Sequence, residues 1–231
     1  MNAELSAPDL AHAARTKRRL AFYDWWVLGV TNQWIWKCRK AKFLDLYRGK
    51  RSGNHLEVGV GTGYFLRHSL TETLPRIALL DINRDFLDHT ARRIEACKPE
   101  IYHSDVLEPL HLGGRRFDSI AINSLLHCLP GALEVKAGMV CDQLLPFLAN
   151  DGVLFGSTIL GKDIQRPLAA TWLMSHYNRK GAFSNSEDSL GGIMESLSMR
   201  FKTFNVEVCG CVVLFWGEGL RDGYRHEEPA P

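Results

Sequence analysis

Residues 55–65 read HLEVGVGTGYF, with glycines at Gly59, Gly61 and Gly63 and a carboxylate at Glu57 just before them. Glycines at this spacing let a ligand approach the backbone closely. Three later positions carry matching chemistry. Asp81 closes the apolar run at 77–80, Asp105 follows the run at 101–103, and Asn123 with Ser124 follows the run at 117–122. Asp81 lies 18 residues beyond Gly63. That placement suits a carboxylate accepting both hydroxyls of a ribose. Asp105 can accept from an exocyclic amine of adenine, with Ile82 and Val106 sandwiching the base. Each carboxylate alone also reads as a helix N-cap. Three successive strand ends with this chemistry favour a nucleotide site.

The loop narrows the nucleotide. Its spacing is G-x-G-x-G, not the G-x-G-x-x-G of dinucleotide sites, and no lysine follows as in a P-loop. A carboxylate directly before the loop repels a pyrophosphate and attracts a cation. An adenosine carrying a sulfonium and an amino acid is such a ligand. His127, one helical turn after Asn123, is the candidate general base at the mouth of this site. A packed or capping histidine is an equal reading of it. His103 reads as structural, and His176 is a more distant candidate base.

These residues need a frame. Leu56, Val58 and Val60 make a short strand, and Tyr64-Phe65-Leu66 opens a helix. Short apolar runs at 77–80, 101–103, 117–122 and 153–160 alternate with helical stretches at 86–97 and 132–148. Continuous apolar runs between helices are buried parallel strands joined by right-handed crossovers. Alternating residues at 201–209, then Gly210, then the apolar 212–216, make an antiparallel hairpin. The expected fold is α/β: a Rossmann-like, doubly wound, seven-stranded sheet finished by the hairpin, with an N-terminal helical lid. We divide the chain into a cap at 1–50, a cofactor-binding domain at 51–220 with a substrate-side insertion at 161–186, and a disordered tail at 221–231.

Composition bounds the partners. The 231 residues are 45% hydrophobic and 23% charged, enough for one filled core. A net charge of +2 argues for no nucleic-acid partner, and the basic run at 15–19 reads as a solvated helix face. Six scattered cysteines without a C-x-x-C suit reduced thiols in the cytoplasm, and no metal set is apparent. The first 20 residues lack the apolar core of a secretory signal, and the apolar stretch at 21–36 is too short to span a membrane.

At these residues the chain resembles a known family. LEVGVGTGYF is similar to motif I of the class I S-adenosylmethionine-dependent methyltransferases. LLDIN, SDVLE and FDSIAINSLLHCLP resemble the motifs that follow, so the likeness runs over about 54–160. It implies S-adenosylmethionine as cofactor. Gly59, Gly61 and Gly63 would lie at its methionine moiety, Asp81 at the ribose, Asp105 and Val106 at the adenine, and Asn123 and Ser124 at the sulfonium. Tyr23 resembles a lid tyrosine that faces the cofactor in the small-molecule type of the family.

The acceptor is argued from what lines the pocket. The DPPY or NPPY tetrapeptide of amino-methyltransferases is absent, since this chain has NSLL there. Four of six tryptophans fall before the glycine loop, and they either cover the sheet or lid a pocket. Trp26, Trp36, His127, Tyr177 and Phe183 are the expected substrate wall, suited to a flat apolar molecule. The expected activity is O- or N-methylation of a small aromatic or polyketide-like metabolite, with a homodimer as a possible assembly. A cofactor-binding protein without transfer, or an enzyme acting on protein or RNA, are the alternatives.

Overall fold

The computed structural model describes residues 31–71 and 74–226. Tyr23 and Trp26, with most of the expected cap, lie outside the described residues. Seven strands form one sheet: β1 (Asn54–Val58), β2 (Arg76–Asp81), β3 (Glu100–His103), β4 (Phe117–Asn123), β5 (Leu148–Ile159), β6 (Phe201–Cys209) and β7 (Val212–Leu220). Their order is β3-β2-β1-β4-β5-β7-β6, with β1 to β5 parallel and β7 antiparallel to both neighbours. The order reverses between β1 and β4, where strand ends diverge and leave a crevice for a ligand.

Helices α1 (Lys40–Lys50), α2 (Tyr64–Ser69), α3 (Arg84–Arg93) and α5 (Leu168–Arg179) belong to one face, and α4 (Leu133–Leu144) and α6 (Leu190–Arg200) to the other. Side chains alternate across each strand, so β1 feeds both layers. Leu56 and Val58 join Ile120, Leu154, Val140 and Leu197 in one core. Ile77, Leu79 and Phe155 join Phe43, Tyr47, Phe65 and Leu87 in the other. His55 and Glu57 point to the second layer and are buried in it.

Three boundaries differ from the sequence expectation. The helix expected over 132–148 ends at Leu144, because Pro146 forces a 3-10 turn at Leu145–Phe147. Strand β5 begins at Leu148 rather than 153. Asn150, Asp151 and Gly152, which lie between the expected helix and strand, form an irregularity in the strand: Phe117 pairs with Leu148, but Ser119 pairs with Val153. The tail expected from 221 is tied down as far as His226, whose backbone N donates to Asn150 Oδ1 (3.0 Å) and whose Nε2 meets Leu145 O (2.9 Å).

The β6–β7 hairpin turn also reaches the site. Gly210 has φ +61°, and a Cβ there would overlap Trp36 O. Cys211 N donates to that same carbonyl at 2.8 Å, which holds Trp36 in place. Among the described residues no helix is long and apolar enough to cross a membrane.

Candidate cofactor and active site

The glycine loop turns between β1 and α2 with φ of +68°, +50° and +66° at Gly59, Gly61 and Gly63. Two of these positions show what the loop is for. A Cβ on Gly63 would meet Thr90 Cγ2 at 2.5 Å, so this glycine lets α3 pack against the turn. A Cβ on Gly61 meets nothing within 4 Å. There the backbone faces open volume. Thr90 Oγ1 and Arg93 Nη1 hold the loop's outer side, donating to Gly61 O (3.2 Å) and Thr62 O (2.7 Å).

Below the loop, Glu57 is 3% exposed and lines the open volume. Its Oε1 accepts from the Tyr47 hydroxyl at 2.5 Å, and its Oε2 lies 3.1 Å from His55 Nε2. His55 Nδ1 meets Ser119 Oγ at 2.8 Å. Burial and the adjacent carboxylate push the Tyr47 phenol well above its usual range, so it stays protonated and donates.

Asp81 closes β2 on the far side of the loop. Its Oδ1 accepts from Asn83 N (2.8 Å) and its Oδ2 from Gly61 N (3.4 Å). Burial raises its pKa, and these backbone donors oppose the rise. Asp105 Oδ1 accepts from Leu107 N (2.9 Å) in a turn, and no helix follows for it to cap. Val106 is buried, whereas Ile82 is 64% exposed at the rim. Asp81, Ile82, Asp105 and Val106 do not line the cavity beside the loop. They lie past the loop, towards the ends of β2 and β3.

The cavity has a volume of about 280 Å³ and sits at the β1–β4 switch point. Gly59, Gly61, Gly63, Asn123 and Ser124 line it together with Phe183 and the rings of Trp36, His127 and Tyr177 that cluster around it. At the end of β4, Ser124 adopts φ +56° and its N donates to Ser157 O at 2.9 Å. Ser157 Oγ donates to Asn123 Oδ1 at 2.5 Å. His127 is 4% exposed, so it lies inside the site rather than at an open mouth. Its ring stands edge-on to Phe183, with centroids 4.6 Å apart. Burial, helped by the Lys136 charge, pushes its pKa down to about 3.

The insertion wall is fixed to the frame. Ser184 N donates to His127 O at 2.8 Å. Asn185 Nδ2 donates to Ile159 O (2.8 Å), and Asn178 Nδ2 to Asn185 Oδ1 (2.9 Å). The sequence did not point to Tyr47, Thr31, Asn32, Ile159 or Ala182 as site residues, and these also line the cavity. The one available signal was that the aromatic run at 22–47 ends ten residues before Glu57.

No protein-family model matches the chain. The chain is 36% identical over 213 residues to the methyltransferase aurB of Calcarisporium arbuscula, covering 86% of this chain and 92% of that protein. It is 34% identical over 201 residues to the demethylluteothin O-methyltransferase of Streptomyces thioluteus, covering 87% of each. The N-methyltransferase NodS from Bradyrhizobium japonicum WM9, solved with S-adenosyl-L-homocysteine, superposes with a TM-score of 0.61. That superposition covers 90% of this chain and 97% of NodS at 16% identity, a likeness of fold. With relatives above 30% identical across most of its length, a glycine loop that leaves room at Gly61 and a carboxylate facing that room, the chain belongs to the class I S-adenosylmethionine-dependent methyltransferases.

Proposed function

We propose that this methyltransferase, whose cofactor is S-adenosylmethionine, methylates a hydroxyl on a small aromatic or polyketide-like metabolite. The observation that carries this reading is the aromatic cluster of Trp36, Tyr177, Phe183 and His127 lining the same cavity as the glycine loop. A flat apolar acceptor fills such a chamber, and a single polar edge fixes its orientation. The relative acting on demethylluteothin is named an O-methyltransferase, which favours oxygen over nitrogen. In this reading residues 1–50 cap the site, 161–186 form its substrate side, and no nucleic acid takes part.

When bound, the cofactor would supply an electrophilic methyl group to the acceptor oxygen, its sulfonium becoming a neutral thioether. The protein's part is to bind, align and exclude water. Glu57 holds the cofactor's ammonium, Gly61 lets its chain pass close to the backbone, and Asp81 takes the ribose hydroxyls. Ile82, Asp105 and Val106 serve the adenine, and Asn123 and Ser124 flank the sulfonium end. His127 stays neutral near pH 7 and orients the acceptor hydroxyl by a hydrogen bond. Burial makes it a weak base, so its part is to orient the hydroxyl rather than to store the proton. The proton passes to bulk solvent as the product leaves, or is lost before binding when the hydroxyl is acidic.

The test uses S-adenosylmethionine labelled in the methyl group. The purified chain is given a panel of hydroxylated and amino-substituted aromatic and polyketide-like acceptors. Label should pass to hydroxyl-bearing members. Label passing only to amines would move the accepting atom to nitrogen. Label found only in added protein or RNA would refute the small-molecule reading.

A further inference from the structure

The Glu57 carboxylate is supported by an element outside the nucleotide-binding frame. Tyr47 lies on α1, three residues from its C-terminal end. Its side chain is buried and packs against Phe65 (centroids 6.2 Å apart) and edge-on against Phe155 (5.1 Å). Helix α1 is pinned to the β6–β7 hairpin, with Lys50 Nζ 2.6 Å from Glu218 and Lys42 Nζ 2.6 Å from Glu207. The phenol ring therefore has one place to sit, and its hydroxyl donates to Glu57 Oε1 at 2.5 Å.

The other side of Glu57 is also held. Ser52 N donates to Ser119 Oγ (2.9 Å), and the Ser52 hydroxyl donates to Asn54 O (2.9 Å). Ser119 Oγ lies 2.8 Å from His55 Nδ1, and His55 Nε2 lies 3.1 Å from Glu57 Oε2, within reach to donate to it. A carboxylate has about four lone-pair sites, so two remain after these bonds. Among the described residues no lysine or arginine pairs with Glu57. Its charge faces a cavity that Tyr47 and Glu57 both line.

We propose that Tyr47 is a positioning residue for the cofactor's amino-acid end. Its hydroxyl turns the Glu57 carboxylate so that the free lone pairs meet the ligand's ammonium. This rests on the assignment of Glu57 to that ammonium made above. It makes α1 a working part of the cofactor site rather than a cover on the sheet. The ring does the packing and the oxygen does the positioning, so Tyr47→Phe separates the two.

The test is calorimetry on the full chain with two ligands. S-Adenosylhomocysteine carries the amino-acid end, and 5′-deoxy-5′-methylthioadenosine lacks it. Tyr47→Phe should weaken the first by about tenfold, the loss of one hydrogen bond to a charged group. It should leave the second within about twofold, since the adenosine side is untouched. Glu57→Gln is the control and should lower the same preference further. Equal weakening of both ligands by Tyr47→Phe would make Tyr47 a packing residue and overturn the proposal. An unchanged preference in Tyr47→Phe, beside a lost one in Glu57→Gln, would overturn the proposal and leave the Glu57 assignment standing. An unchanged preference in Glu57→Gln would sink both.

Discussion

His127 shows how burial redirects a side chain's chemistry. From its position after Asn123 it is a candidate base, but in the folded chain it lies in an apolar wall beside Phe183 with its pKa pushed down to about 3. Two expectations follow from that number. The first concerns stability. The unfolded ring protonates near its ordinary 6.5 and the folded ring does not, so the unfolded state binds more protons as pH falls below 6.5. The contribution is full above that value and is lost progressively towards about 3. By about pH 5.5 the cost is roughly 1.4 kcal/mol, and a His127→Gln variant should lack it. Urea melts of both proteins at two pH values check this; parallel pH slopes would contradict it. The second concerns rate. The pH profile of kcat/KM should show no inflection near 6.5 and should follow the ionisation of the acceptor hydroxyl. Acceptors of different acidity should shift the inflection. A fixed inflection near 6.5 with all acceptors would restore His127 as the base.

The wall that carries Phe183 depends on an element the sequence hides. Lys136 sits on α4 fully buried, and its Nζ donates to Ser184 O (2.6 Å) and Leu129 O (3.2 Å) and lies 2.8 Å from Asp188 Oδ2. One ammonium thus ties the segment after β4 to the end of the insertion. Burial outweighs the lysine's pull and pushes Asp188 up to about 6, the mark of a pair whose desolvation exceeds its attraction. Lys136→Met alone should cost about 3–5 kcal/mol, because it strands a buried carboxylate. Adding Asp188→Leu should recover most of that, short of about 1 kcal/mol for each unbonded carbonyl. Chemical denaturation of the single and double variants measures it, and additive losses would refute the coupling. Lys136 was illegible because its partner lies 52 residues away and because a lone lysine on a helix reads as solvated. The strands were legible for the opposite reason: a buried parallel strand is a continuous apolar run. At Asn150-Asp151-Gly152 the residues that favour turns also favour bulges, so only pairing with β4 decides between them.

At the scale of the molecule, the site is the crevice that the strand order makes between β1 and β4. The glycine loop and the acids at strand ends announce it, because backbone geometry there demands particular residue types. Trp36, Tyr177 and Phe183 are legible by their aromatic character, but Tyr47 is not, since a buried aromatic on a helix serves a core as readily as a pocket. A ligand in this crevice touches β1, α2 and the β4 end together, so binding should stabilise the whole fold as one unit. S-Adenosylhomocysteine at about 100 times its dissociation constant should add about 2.7 kcal/mol to unfolding, with the urea slope unchanged. The glycines give the control. Gly61→Ala puts a methyl into the open volume and meets no neighbour within 4 Å, although φ is +50°. It should fold, at a cost of about 1–2 kcal/mol for the left-handed backbone, and lose most of the ligand's stabilisation. Gly63→Ala places its methyl 2.5 Å from Thr90 Cγ2, so it should lose more stability with no ligand present. Full ligand stabilisation in Gly61→Ala would mean that the cofactor chain does not run over this loop.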